Sequence, residues 1–129
     1  MRRGIGAVNV WETPIGRFAP LICYDAWDAE LAARLVNEGA QVLLVPLANP
    51  EPWDERAITE RKEGMFSRVR ELGVPGVEVF GVGSLAGLPF EGQSWILAVD
   101  PDGPEGVRVL AQAATATDPE IIVADIPLL

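Results

Sequence analysis

Gly16-Arg17-Phe18-Ala19-Pro20-Leu21-Ile22-Cys23-Tyr24-Asp25 is an apolar run that ends abruptly on a cysteine and a capping residue. The run predicts a strand over Arg17–Tyr24, with Leu21-Ile22-Cys23 as its buried end. Upstream, Glu12-Thr13-Pro14-Ile15-Gly16 reads as a turn, because proline fixes φ and glycine permits φ > 0. Before it, Gly4–Trp11 reads as a strand carrying Ile5, Val8 and Val10, so the two runs predict a hairpin. Downstream, a helix is expected from Ala26 to Glu38, with Asp25 as N-cap and Asp28 and Glu30 in or near the first turn. Leu31, Leu35 and Val36 give its apolar stripe. Glu30/Arg34 and Arg34/Glu38 sit at i, i+4, and Gly39 is a natural C′ residue. Gln41–Pro46 then contains the continuous apolar run Val42-Leu43-Leu44-Val45. Strand, helix and fully apolar strand in succession are the βαβ signature of an α/β fold.

The rest of the chain extends this pattern. Leu47–Asp54 is a proline-rich loop containing Asn49 and Trp53. Glu55–Leu72 reads as one long charged helix, its buried stripe drawn from Ile58, Met65, Phe66 and Val69, and Gly73-Val74-Pro75 ends it. Val77–Val82 reads as a strand in which Val77, Val79 and Phe80 alternate around Glu78 and Gly81. Gly83–Gly92 is a loop and Ser94–Val99 a strand. Asp100-Pro101-Asp102-Gly103 is a turn, and Val107–Ala111 and Ile121–Ile126 are two closing strands. No repeat, low-complexity tract or linker interrupts the chain, so residues 1–129 read as one domain.

Composition narrows the partners. The 129 residues are 49% hydrophobic with a formal net charge of -9. That argues against disorder, and against nucleic acid or an anionic membrane surface, both of which call for basic patches. No apolar stretch long enough for a signal peptide or a membrane span follows Met1-Arg2-Arg3, so a cytoplasmic setting is the expectation. Cys23 is the single cysteine and histidine is absent. This excludes an internal disulfide, Cys–His and Ser–His–Asp catalysis, and histidine metal sites. No metal and no cofactor are expected. Gly81-Val82-Gly83 lacks the pattern and helix start of a phosphate loop.

Cys23 is the candidate nucleophile. A lone intracellular cysteine is more often an inert, buried small hydrophobe. Its place at the C-terminal end of a buried strand, where open α/β sheets put their sites, favours a functional role. A helix start nearby stabilises negative charge on sulfur, while Asp25 opposes it unless spent on capping. A thiolate here could attack a carbonyl or nitrile carbon and form a covalent thioester or thioimidate.

Residues Gly16 to Asp25 resemble the segment around the nucleophile of the nitrilase, or carbon–nitrogen hydrolase, superfamily. Glu30-Leu31, Arg34-Leu35, Gly39-Ala40 and Leu43-Leu44-Val45-Pro46 are similar to that family's next helix and strand. Ser67-Arg68-Val69-Arg70-Glu71-Leu72-Gly73 resembles its arginine-rich helix end. Phe90-Glu91-Gly92-Gln93-Ser94 with Asp102-Gly103 resembles its late F-x-G-x-S strand and following turn. One departure is Asp28-Ala29, where the family shows an aromatic and a proline. The resemblance implies a partial α-β-β-α sandwich, usually dimeric, acting on an amide or nitrile. It implies a Glu–Lys–Cys triad with Cys23 as nucleophile and the Tyr24 backbone N–H as oxyanion donor, and it puts Asn49 where the family lines its pocket. A loop asparagine before a proline is equally an ordinary turn former, and Trp53 reads either as a pocket wall or as loop packing. The family's glutamate and lysine lie well upstream of the cysteine. Glu12, Arg2, Arg3 and Arg17 do not match them, and Lys62, the only lysine, reads as a solvated helix charge.

The expected chain therefore carries the nucleophile half of a layered domain and is catalytically incomplete alone. Its sheet would be uncovered along Leu21-Ile22, Val42–Val45 and Ser94–Val99, so self-association or an N-terminal partner half is expected. The competing readings are a non-catalytic α/β binding module with a structural Cys23 and, more weakly, a thiol redox sensor.

Overall fold

The computed structural model describes residues 9–48 and 55–128. The hairpin is present: β1 (Trp11–Thr13) pairs antiparallel with β2 (Gly16–Pro20). Thr13 Oγ1 donates to the Gly16 carbonyl at 2.7 Å and accepts from the Ile15 amide at 3.3 Å, closing the turn. The sequence-predicted strand Gly4–Trp11 falls mostly outside the described residues. The sequence-predicted strand Arg17–Tyr24 is shorter than expected, because the chain leaves the sheet once the Leu21 amide has bonded to the Leu44 carbonyl at 2.8 Å. Cys23–Trp27 is then a tight 3₁₀ turn.

Helix α1 (Ala29–Asn37) starts later than expected, and its N-cap is Asp28 rather than Asp25. Asp28 Oδ1 accepts from the Leu31 amide at 3.0 Å. Asp25 is spent one turn earlier, where its Oδ2 accepts from the Ile22 amide at 3.2 Å. Strand β3 (Val42–Leu47) follows. Helices α2 (Glu55–Arg61) and α3 (Ser67–Leu72) occupy the stretch expected to be one helix. Between them Lys62–Phe66 widens into a π-type turn, with non-helical backbone at Gly64. The break leaves room only for glycine: a Cβ on Gly64 would sit 2.8 Å from the Trp27 indole. The buried face also differs from the expected stripe. Met65, Phe66 and Val69 are buried as expected, but Ala57 and Arg61 replace Ile58, which is exposed.

Strand β4 (Gly76–Phe80) leads to a small hairpin, β5 (Ser84–Leu85) with β6 (Leu88–Pro89), inside the segment expected to be loop. Strands β7 (Trp95–Val99) and β8 (Val107–Gln112) complete the main sheet. Its order is β1-β2-β3-β4-β7-β8. β2, β3 and β4 are parallel, and the outer pairings are antiparallel. The fold is thus α/β, a mixed sheet with its helices on one face, as the βαβ pattern requires. Leu21, Leu43, Val45, Phe80, Trp95 and Leu97 point to that face and form one core with Leu31, Leu35, Met65, Phe66 and Val69. No helix among the described residues is long and apolar enough to cross a membrane.

Two expectations are corrected. Ile121–Ile126 is not a strand: the segment joins no ladder, and half-buried Ile122, Ala124 and Ile126 alternate with outward Ile121, Val123 and Asp125. An apolar alternation makes a strand only where a sheet edge accepts its backbone. The strands expected to be uncovered are also mostly buried, with Leu21, Val42, Leu43, Val45 and Trp95–Ala98 all inside. Leu21, Leu43, Val45, Trp95 and Leu97 face the helices, and the tail returns to the sheet, where Pro127 borders a cavity with Pro75, Ala98 and Val99. Exposed on the helix-free face are Val79 and Pro46, beside half-buried Leu44 and Val77, together with Trp11 at one edge and Arg108 at the other.

The Gly64–Trp27 contact yields a direct prediction. Gly64→Ala should destabilise the chain by roughly 1–3 kcal/mol, the usual range for overpacking. In a Trp27→Leu background the same change should cost measurably less. Urea unfolding of the four members of this cycle measures both, and equal costs in the two backgrounds would contradict the steric contact.

Candidate active site

The parallel strands β2, β3 and β4 end on the same side of the sheet, and Cys23 lies two residues beyond Leu21, whose amide makes the last bond to β3. Cys23 is half-buried, with φ at +53°. A left-handed conformation is uncommon for a residue with a side chain and clusters at functional turns. Two bonds close the turn: the Asp25 amide donates to the Ile22 carbonyl at 3.1 Å, and the Ile22 amide donates back to the Asp25 carboxylate. Tyr24 follows in the turn with its side chain exposed, and its ring stands 5.7 Å from that of Trp27. Trp27 ends the turn, and its carbonyl accepts from Arg68 Nη1 at 3.3 Å. Asn49 and Trp53 lie outside the described residues, so only Cys23 and Tyr24 are placed. Lys62 is half-buried: its Nζ pairs with Glu105 at 2.8 Å and lies 5.6 Å from the centroid of the Phe66 ring, so it is tied to the surface around it rather than free in solvent.

A second polar group, missed in the sequence, sits at this end of the sheet beneath α2. Arg61 is 1% exposed. Its Nε donates to Glu91 Oε1 at 2.7 Å, its Nη1 to the Gln93 carbonyl at 2.7 Å and its Nη2 to the Gly92 carbonyl. The guanidinium lies 3.4 Å from the centroid of the Phe80 ring and 5.2 Å from that of Trp95, a cation–π stack of the kind arginine favours. Burial pulls the Arg61 guanidinium below its ordinary value, against its hydrogen bond to Glu91 and the charges of Glu91 and Glu78.

Glu78, on β4, is 0% exposed. Its Oε1 accepts from Trp95 Nε1 at 2.7 Å, while its Oε2 has no hydrogen-bond partner among the described residues. Burial pushes its carboxyl up to about 7; Trp95 and Arg61 oppose the rise and Glu91 adds to it. The sequence held one signal for this cluster. Between Val77 and Val79, period-two alternation puts Glu78 on the face opposite both valines, and that face is the core. Arg61 gave none, because its neighbours Glu60, Lys62 and Glu63 disguise it as one more surface charge.

The chain matches the model of the carbon–nitrogen hydrolase family over residues 1–128. A glutamine-dependent NAD(+) synthetase from Rhodobacter capsulatus is 34% identical over 106 residues, which is 81% of this chain and 18% of that protein. An amidase from Nesterenkonia sp. superposes with a TM-score of 0.70 at 28% identity, covering 93% of this chain and 41% of the amidase. A structure of a mutant Nesterenkonia sp. AN1 amidase carries the acetamide moiety of fluoroacetamide on its active-site cysteine. It superposes with a TM-score of 0.62 at 27% identity, covering 82% of this chain and 36% of that one. The chain therefore spans under half the length of each of these proteins.

The Glu78 environment fixes the sign of a pH effect. Its folded value of about 7 exceeds the ordinary 4.5, so between these values the folded chain holds a proton the unfolded chain has released. Stability contributed by this group is therefore lost as pH rises through that window. Glu78→Gln keeps an acceptor for Trp95 and removes the ionisation. Its stability advantage over the wild type should be small at pH 5 and grow to at most roughly 3 kcal/mol by pH 8. Denaturant melts at both pH values measure it, and a pH-independent difference would count against the assignment.

Proposed function

The chain belongs to the carbon–nitrogen hydrolase family, and on that premise we propose that it supplies the nucleophile-bearing part of an enzyme that hydrolyses a primary amide, with Cys23 as the attacking group. The observation that carries this reading is the Cys23 turn. A non-glycine residue held at φ +53° just past the end of β2, closed on both sides by Ile22 and Asp25, presents a thiol at a strained strand-to-helix corner. The similar proteins support the substrate class. Fluoroacetamide is a primary amide, and the glutamine in the name of the Rhodobacter relative ends in one.

In the proposed reaction the Cys23 sulfur attacks the amide carbonyl carbon as its proton passes to a general base. The oxygen of the tetrahedral intermediate takes up negative charge, which the Tyr24 backbone N–H is placed to stabilise beside the nucleophile. The C–N bond breaks, the nitrogen leaves as ammonia with the proton returned by the base, and a thioester remains. Water then cleaves the thioester to a carboxylic acid and restores the thiol. The family resemblance assigns the base to a glutamate and further oxyanion stabilisation to a lysine. No residue of this chain matches either, so turnover requires both from outside these 129 residues. The surface for such a partner segment is the helix-free face around Pro46 and Val79, flanked by Ile22.

Three outcomes are expected. Incubation with fluoroacetamide followed by peptide mass mapping should give one acetamide adduct, at Cys23, faster than on a free cysteine peptide; a rate no faster would overturn the nucleophile assignment. The chain alone should turn over acetamide at background rate, since a general base contributes about 10²–10⁴-fold. Robust turnover abolished by Cys23→Ser would show that the chain contains its own base. Sedimentation at low micromolar concentration should show self-association. A concentration-independent monomer with cooperative unfolding would instead favour a self-sufficient binding module.

A further inference from the structure

The buried Arg61 group and the Cys23 turn are joined through one helix break. Trp27, the last residue of the Cys23 turn, has its indole against Gly64, where a Cβ would come within 2.8 Å of the ring. Gly64 lies three residues after Arg61, in the π-type turn that begins at Lys62. Arg61 in turn holds Glu91, Gly92 and Gln93, the residues leading into β7, and stacks on Phe80, the last residue of β4. Both ends of the connection from β4 to β7 are therefore gathered on a single guanidinium. Other bonds close the same connection: the Gly92 amide to the Gly81 carbonyl at 3.0 Å, the Phe90 amide to the Gly83 carbonyl at 2.8 Å, and the Phe80 amide to Ser94 Oγ at 2.9 Å. The loop is also pressed from outside, since a Cβ on Gly92 would meet the Ala116 carbonyl.

We infer that Arg61 is a positioning residue for Cys23: by anchoring the end of α2 to the Glu91–Gln93 segment, it fixes where the Gly64 break lies and so seats the Trp27 end of the nucleophile turn. The inference rests on the reading of Cys23 as nucleophile. Its structural half, the coupling of residues 81–93 to residues 23–28 through Arg61, stands independently of that reading. A guanidinium suits the task because it keeps its charge and directs five donors in a fixed plane; a lysine ammonium is a single point charge on a flexible stem. Lysine can keep the pairing with Glu91, but it does not reproduce the planar three-way grip.

The test uses the full chain with Arg61→Lys, and Glu91→Gln as the milder second variant. The Gln side chain still offers Arg61 Nε an oxygen, so this variant serves if the first does not fold. Amide hydrogen exchange should rise about tenfold in two separate segments, residues 23–28 and 81–93, while α1 (Ala29–Asn37) is unchanged. Gly64→Ala should raise exchange in residues 23–28 but not in 81–93, because it disturbs the seat and leaves the grip intact. Fluoroacetamide labelling of Cys23 should slow at least threefold in Arg61→Lys at equal folded fraction. A uniform rise in exchange along the chain, or a rise confined to 81–93, would overturn the inference. If both segments respond and the labelling rate does not, Arg61 is structural only and the positioning role fails. A wild-type Cys23 no more reactive than a free cysteine peptide would sink the nucleophile reading without touching the exchange result.

Discussion

A charge that cannot be given up sits under the sheet. The Arg61 guanidinium keeps its proton at any pH the folded chain meets, so its burial is tolerable only with acceptors on nearly every side. The fold meets that demand with one carboxylate, two backbone carbonyls and an aromatic face. Meeting it fixes much else: the path of the chain between β4 and β7, the packing of Phe80 and Trp95, and the end of α2. Glu78 is the counterpart, an acid close enough to feel the guanidinium but not bonded to it, and burial pushes its carboxyl up to about 7. The cluster is thus asymmetric, with one fully satisfied ion pair beside one carboxyl that retains an oxygen unpaired among the described residues.

The sheet explains why one side of the molecule is finished and the other is not. Successive parallel strands need a crossover for each step, and each crossover brings a helix. From β2 to β4 both crossovers lie on the same face, which gathers the core there. The other face is covered only in part. Near the beginnings of β3 and β4 the tail comes back to it, while towards their ends Pro46 and Val79 stay open. That open region is at the same end of the sheet as Cys23.

Much of this was legible in the sequence. The hairpin, the βαβ order, the end of β2 near Cys23 and the buried Met65, Phe66 and Val69 follow from turn residues and hydrophobic period. What failed was local detail decided by distant contacts. Asp25 and Asp28 are both competent caps, and the choice between them depends on Ile22 leaving the sheet early. The helix break at Gly64 packs against a tryptophan thirty-seven residues away in the chain. Arg61 looked like a surface charge because its acceptors come from a loop thirty residues downstream. Ile121–Ile126 has strand composition without a strand, since composition does not supply a neighbour to pair with.

The backbone at Cys23 has a consequence for how this position can change. A left-handed φ costs a residue with a Cβ about 1–2 kcal/mol, which glycine does not incur and asparagine partly escapes. Thermal stability and the thiol therefore pull against each other at one site. Selection acting on backbone strain alone, as in a laboratory stability library, drives residue 23 toward glycine. A cysteine at this position therefore carries a backbone cost that only a contribution from its sulfur offsets.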